Sequence, residues 1–458
     1  MTPFKKFIFS CLGMAMIAIA GADAHAQAPY YVRWMSHLPI AETFSGGIAL
    51  DSSGQVQIAC GTYRSGTGND ALLAQYSASG QLQHSPAFGT TYQDSAYGVA
   101  CDGAGGIYLT GATDGSLAAP NASGTDGIWN DTFISKFTTS GTQLWTKQFG
   151  APGDDILAGI CSDGLGNLYL GGFAHGSLPA PSIGAGDACV ARIDASGNLL
   201  WARQFGASSS YVGDVSADSL GNVFAAGYDG HNGGFLAKYD ANGNAAWNVS
   251  FRYQDSTFVN GIAADGLGNV YVDGASVIGG NLASRLAFLN KYDSSGHLLW
   301  SNQFGAGQMV NPGGIVIGRQ GHVLVCGGTN GSFGAPSAGS SDAFLAEFNP
   351  ITGTMTWLTQ FGSSAYDTLG GITSDAFGNI FVDGTTDGNL AGPYRTPGDN
   401  VFVMEFSPVP EPSSVVLIAS GVGFLLMSTA SNRRPGRAYA AARNHRFGTS
   451  RRRSVGII

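Results

Sequence analysis

One sentence of about fifty residues is written again and again along this chain, and periods of that length belong to solenoids and propellers. The segment GI-x-x-D-x-x-G-N-x-Y-V-x-G stands at 48–61, 99–111, 160–172, 215–227, 262–274, 315–327 and 372–384. Its carboxylate is Asp51, Asp102, Asp163, Asp218, Asp265 and Asp375, with Gly318 in the remaining copy. The count is seven. Each unit reads as four strands: the short GI run, the alternating N-x-Y-V-x-G run after a tight turn, an AFLAKYD-like run, and a LLWxxQFG-like run.

The ends of the array decide between an open and a closed form. The seventh unit stops after its third strand, at Phe406. The array is preceded by an orphan fourth strand, YYVRWMSHL at 30–38, with Trp34 in the repeat's tryptophan position. That strand completes the last unit and staples a ring shut, whereas an open solenoid would instead need polar caps at both ends. Closure leaves only short, protected strand edges. The expectation is an all-β, seven-bladed β-propeller over residues 27–407, closed by its N-terminal strand.

Composition agrees. Of 458 residues 70 are Gly, without a collagen-like period, and this suits a chain with many turns. Residues 27–408 hold 12 Lys and Arg against 29 Asp and Glu, a net charge of −17. Phosphate recognition needs cationic groups, so nucleic acid is excluded as a partner. Cys60, Cys101, Cys161, Cys189 and Cys326 stand where other copies have Ala, Ile or Val, and so read as small buried hydrophobes. Trp145, Trp201, Trp247, Trp300 and Trp357 occupy equivalent points and read as packing between blades. The repeated Asp of D-x-x-G-N reads as a turn device.

The two ends carry addresses rather than structure. Lys5 and Lys6, an apolar stretch and AHA at 24–26 read as a signal peptide over 1–26. At the other end Val409-Pro410-Glu411-Pro412 precedes an apolar run at 415–430 and the basic residues Arg433, Arg434 and Arg437. With Ser413 and Ser414 that run would be roughly 27 Å long as a helix, enough for a bilayer core. The arginines place the C-terminus in the cytoplasm.

These three parts in this order resemble a PEP-CTERM sorting signal, here residues 408–437, followed by a basic tail at 438–458. The resemblance implies a Gram-negative bacterium, a signal peptidase and an exosortase as processing partners, and delivery to the cell envelope, outer surface or extracellular matrix. The repeat itself, over 31–406, resembles the SBBP family of bacterial β-propeller repeats. That family implies the fold and no agreed activity. D-x-x-G-x-L-L-W also looks like the tryptophan motif of quinoprotein propellers, but the paired cysteines those enzymes use are missing.

Chemistry is expected in the loops that differ between copies, those after the second and fourth strands, which emerge on one face. Trp129, Asp154, Asp155, Tyr211, Tyr228, His231, Tyr253, Asp255, Tyr366 and Asp367 are the candidate ligand-face residues. Aromatic rings stack on sugar faces and carboxylates bond hydroxyls. Oxygen-rich loops also suit Ca²⁺, although none has a known calcium-loop spacing. No HExxH, G-x-S-x-G, P-loop or paired-cysteine motif is present, and among so many aspartates no catalytic pair can be nominated. His175 and His231 are the histidines in variable loops. A surface or matrix binding module for polysaccharide or protein is the favoured function, with a carbohydrate-active hydrolase or lyase, or a ligand-free spacer, as alternatives.

Overall fold

The structure is a computed structural model that describes residues 28–410 apart from 41–42, 63–67, 125, 179–186, 232, 306–307 and 391–399. The expected signal peptide, the Glu411–Pro412 half of the sorting motif, the apolar run and the arginines beyond it lie outside the described residues.

Seven antiparallel sheets of four strands form, the first having its outermost strand in two pieces. Blades 1 to 6 cover 43–88, 94–149, 155–205, 211–251, 256–304 and 310–361, and blade 7 joins 367–408 to 30–37. The first strand of every blade packs on the first strands of both neighbours, all the way round, and this closes the circle. We letter the strands A to D from that inner wall outward. The second and third strands are nearly continuous buried apolar runs such as Val56–Thr62 and Asp342–Phe348, because sheets cover both their faces. Closure is as expected: Tyr30–His37 pairs antiparallel with Asn400–Pro408, Tyr30 opposite Pro408 and His37 opposite Phe402.

The D-x-x-G-N carboxylate builds the A–B turn. Asp163 Oδ1 accepts the N–H groups of Leu165 at 2.8 Å and Asn167 at 3.1 Å, and Asp51, Asp102, Asp218, Asp265 and Asp375 repeat the pattern. An Asx turn of this kind supplies what two orphan amides need. Where Gly318 replaces the Asp, the turn becomes a short 3₁₀ turn with Gln320 at φ 61°.

What joins blade to blade is a latch at the C–D turn. Each D strand that has a tryptophan carries a bulge just before it: Arg33, Leu144, Leu200, Ala246, Leu299 and Thr356 are skipped in the pairing with strand C. A bulge re-aims the next side chain, and here the ring swings over the following blade's C–D turn. The Nε1–H donates to a turn carbonyl there: Trp201 to Ala241, Trp247 to Ser294 and Trp300 to Pro350, at 3.0–3.2 Å.

Opposite the tryptophan on strand C stands a cation in blades 2 to 5, whose head often reaches the same turn, and a glutamate in blades 6 and 7, Glu347 and Glu405. Arg192 donates to Ala241, Lys291 to Pro350 and Lys136 to Ala195. Each also lies over a second-strand ring: Tyr169, Tyr271 and Tyr108 respectively. The turn must present bare backbone to the indole. A Cβ on Gly353, already at φ 70°, would lie 2.6 Å from the Trp300 ring.

Two junctions depart from this rule. Blade 1 has His84 at the tryptophan position, and its outer strand breaks at Ser85–Pro86 into Leu82–His84 and Ala87–Phe88. Blade 7 has no C–D turn, because its C and D strands are the last and first strands of the ring. Tyr30 replaces it: its ring lies 5.3 Å from Trp357, and its hydroxyl donates to Glu347 at 2.8 Å.

If the latch holds the ring, Trp300→Ala costs about 3 kcal/mol of unfolding free energy in urea. Leu267→Ala, at an exposed turn, changes it by less than about 0.5 kcal/mol.

Candidate functional site

Strand direction puts the D–A and B–C loops on one face and the A–B and C–D turns on the other. The sequence-nominated residues all belong to the loop face, and the structure sorts them into three groups.

Asp155 and Asp367, expected to meet ligand, are instead enclosed, each 0% exposed. Asp155 Oδ2 accepts the Ala151 N–H at 2.5 Å, and Asp367 Oδ2 accepts from the Ser363 N–H and Oγ at 2.5 and 2.8 Å. The Thr386 hydroxyl also donates to Asp367. They hold the D–A loop as the turn aspartates hold the A–B hairpin. Each faces a second buried carboxylate from strand C. A Cβ on Gly150 would lie 2.3 Å from Asp131 Oδ1 and 3.2 Å from Asp155 Oδ2, and Gly89 stands the same way between Asp70 and Asp94. The glycine of the QFG motif is therefore the gap into which two carboxylates fit. Burial, with the Asp131 charge beside it, pushes the Asp155 carboxyl up to about 6.

Such a pair resembles the acid and base of a glycosidase, but it is sealed and it recurs between blades, so it belongs to the scaffold. Asp273 and Asp383 are also 0% exposed, and no donor completes a hydrogen bond to any of their oxygens. Desolvation lifts both to about 7, against the pull of the Gly261 and Gly371 amides; Asp214 adds to the rise at Asp273. Perturbed carboxyls are functional candidates when substrate can reach them. These have no exposed surface, so their titration acts on stability.

A second group is polar or aromatic but already engaged. Tyr253 folds inward, its hydroxyl at 2.6 Å from Asn290 Oδ1 and 2.7 Å from Ser301 Oγ, its ring 4.8 Å from Phe288. Asp154 ties two loops together by accepting from the Asn130 backbone and side-chain N–H groups at 2.9 and 3.0 Å. His175 Nδ1 lies 2.8 Å from the Asp154 carbonyl. Asp255 accepts the Gly280 N–H at 2.8 Å. His231 sits exposed in an Asx turn made by Asp229. Tyr211 packs on Tyr228, which stacks on Phe258 at 6.2 Å and 16°, with the Arg285 guanidinium 5.5 Å from the Phe258 ring. That half-buried row bridges blades 4 and 5.

The third group is presented to solvent. Trp129 is 45% and Tyr366 45% exposed. Trp129 is not alone. Ile128 and Tyr92 beside it are exposed as well, and the Tyr92 ring lies so close over Gly127 that a Cβ there would meet it at 2.9 Å. Asp126 and Asp114 flank the patch. The first accepts from Ser116 Oγ at 2.8 Å, the second from the Gln93 N–H at 2.5 Å. The long B–C loop of blade 2 is pinned beneath them by Asn121, whose Nδ2 donates to the Trp129 carbonyl at 2.8 Å. Gln148 Oε1 accepts the Leu117 and Ala118 amides at 2.8 and 3.0 Å. The patch is thus an apolar platform on a fixed loop with carboxylates at its edge. Tyr92 and Asp126 were visible in the sequence only as members of variable loops. Their meeting with Trp129 depends on the D–A loop of one blade lying beside the B–C loop of the next.

A shallow recess on the rim, lined by Arg192, Trp201, Arg203 and Asn242, is the latch between blades 3 and 4. Among the described residues no three His, Cys, Asp or Glu side chains converge as a metal site, and no helix is long and apolar enough to cross a membrane. The cysteines are free thiols, and burial pushes Cys101 and Cys189 up to about 12.

The fold that these strands define is a seven-bladed, all-β propeller. No family model matches the chain. It is 25% identical over 171 residues to the regulatory protein FlaEY of Caulobacter vibrioides, a stretch making up 32% of this chain and 17% of that protein. The chain therefore spans less than a fifth of that relative's length. The WD40 domain of coronin from Toxoplasma gondii superposes with a TM-score of 0.46 at 10% identity, over 85% of this chain and 90% of that one.

The sign of the pH dependence follows from the buried carboxyls. Their values rise from the ordinary 3.8 to about 6 for Asp155 and about 7 for Asp273 and Asp383. The ring therefore prefers them protonated, and the stability they give is complete below the unfolded value and lost as pH climbs through the folded ones. Thermal midpoints should fall between about pH 5 and pH 8, and Asp273→Asn should flatten that fall. A midpoint constant across this window would remove these groups from the account.

Proposed function

We propose that the protein is an exported surface or matrix module that holds polysaccharide on its loop face, with the blade 2 patch as the contact. The observation that carries this is the cluster of Tyr92, Ile128 and Trp129, exposed on one pinned platform between Asp114 and Asp126. Aromatic faces stack on the apolar faces of pyranose rings, and carboxylates at the edge accept hydroxyls. A ring carrying −17 over residues 27–408 favours a neutral glycan over a polyanion. Export rests on the signal-like 1–26, and processing by an exosortase on Val409-Pro410-Glu411-Pro412 with the apolar run and Arg433, Arg434 and Arg437 after it.

The enzyme reading has less support. The carboxylate pairs braced at the D–A loops, such as Asp131 with Asp155, have little or no exposed surface, whereas glycoside cleavage needs two that reach the same bond from open space.

The test is retention of residues 27–408 on the producing organism's extracellular polysaccharide, with sugar products assayed in the same tubes and EDTA added to half of them. Retention without products is expected. Trp129→Ala and Tyr92→Ala should each lower affinity about tenfold, near the worth of one stacked ring. Release by EDTA would add calcium to the site. New reducing ends would replace this reading with the enzyme.

A further inference from the structure

The face opposite the aromatic patch carries a different chemistry. At the A–B turns the residue two places after the Asp points straight out: Leu165 is 67% exposed, Leu220 79%, Leu267 86% and Phe377 79%. In blade 6 the C–D turn supplies the apolar tip, Ile351 at 81%, on a turn held by Asn349. Five consecutive blades, 3 to 7, thus each raise one large apolar side chain. The turn itself does not ask for this. Blade 1 makes the same Asx turn with Ser53, whose N–H bonds Asp51 at 2.9 Å, and blade 2 makes it with Ala104.

We propose that this face docks on a lipid bilayer, each tip entering the interface separately. A protein partner would bury one continuous patch with a dense centre. Here the tips come one to a blade, each on a turn fixed by its own side-chain-to-amide hydrogen bond. Only a fluid apolar medium accommodates such separate protrusions without a shaped partner.

The course of the chain points the same way. The last strand of blade 7 runs toward this face and ends at Pro408, opposite Tyr30. Six residues then separate Pro408 from the apolar run that starts at Val415. Fully extended they reach at most about 25 Å. This part of the argument rests on the reading of 408–437 as a membrane-inserted sorting signal, whose linker starts from the end of a strand on this face. The charge present selects the lipid class. The C-strand cations Arg192, Lys136 and Lys291 are engaged at latch carbonyls, Arg319 is the exposed cation at the blade 6 turn, and residues 27–408 together carry −17. A zwitterionic surface suits this better than an anionic one.

The test uses residues 27–408 without the C-terminal segment, a ring closed by its own two ends within one compact unit. Its outcome is therefore separate from whether the sorting signal is used, which cell fractionation of the full chain reports. Leu267→Cys, Phe377→Cys and Trp129→Cys variants are labelled with an environment-sensitive dye in a background carrying Cys101→Ala and Cys161→Ala; Cys60, Cys189 and Cys326 are buried. With phosphatidylcholine vesicles, a blue shift and several-fold brightening are expected at positions 267 and 377 and none at 129. Replacing Leu165, Leu220, Leu267 and Phe377 by Ser together should lower partitioning at least tenfold with an unchanged melting temperature. A wild-type ring that stays in the supernatant, or an equal change at position 129, would overturn the proposal. So would a concentration-dependent dimer abolished by the four serines, which would assign the face to a second copy.

Discussion

The ring depends on one contact made between successive blades: an indole, aimed by a bulge, lying over the C–D turn of the next blade and bonding its carbonyl. Trp201 over Gly243, Trp247 over Gly296 and Trp300 over Gly353 are successive instances. The contact couples separate requirements, a bulge before the Trp, a Gly at positive φ in the turn and, in blades 2 to 5, a cation on the adjacent strand. Because each requirement lies in a different part of the unit, the whole unit recurs. No blade can bury its flat faces alone, so the latch turns seven marginal sheets into one structure.

The same logic explains which parts of the molecule are free to vary. Asp51 and its counterparts, the QFG glycines and the tryptophans are consumed by turns, loops and latches. Acidic residues are abundant, but at the A–B turns and in the buried pairs at the D–A loops they are internal braces. What remains available for recognition is what a single blade adds to the pattern, chiefly the long loop of blade 2 with Trp129. The two faces then differ in what they expose. Trp129, Tyr92, Tyr366 and Ile128 stand on the loop face, and Leu165, Leu220, Leu267 and Phe377 on the turn face.

Much of the architecture was legible in the sequence, because repetition shows strand number and the orphan Trp34 strand shows closure. The role of the tryptophans was legible too, since a residue present in most copies packs against something present in most copies. The bulges were not. The skipped residues are Arg33, Leu144, Leu200, Ala246, Leu299 and Thr356, of no common type, and a skipped residue leaves no mark on a two-residue alternation. The site was harder. Asp155, Asp367 and Tyr253 look like loop residues in one dimension, and only the packing of strand A against strand C shows that they face inward. Tyr92 lies in the loop that enters blade 2 and its ring covers Gly127, two residues before Trp129, a proximity that is a tertiary fact.

The central claim is that scaffold devices repeat and recognition sits in one blade. Hydrogen–deuterium exchange of the closed ring, with and without the polysaccharide, tests it most directly. The account predicts new protection confined to the loops around Tyr92 and Trp129, with equivalent loops of the other blades unchanged. Protection spread evenly over the blades, or found only in blades 4 to 7, would contradict it.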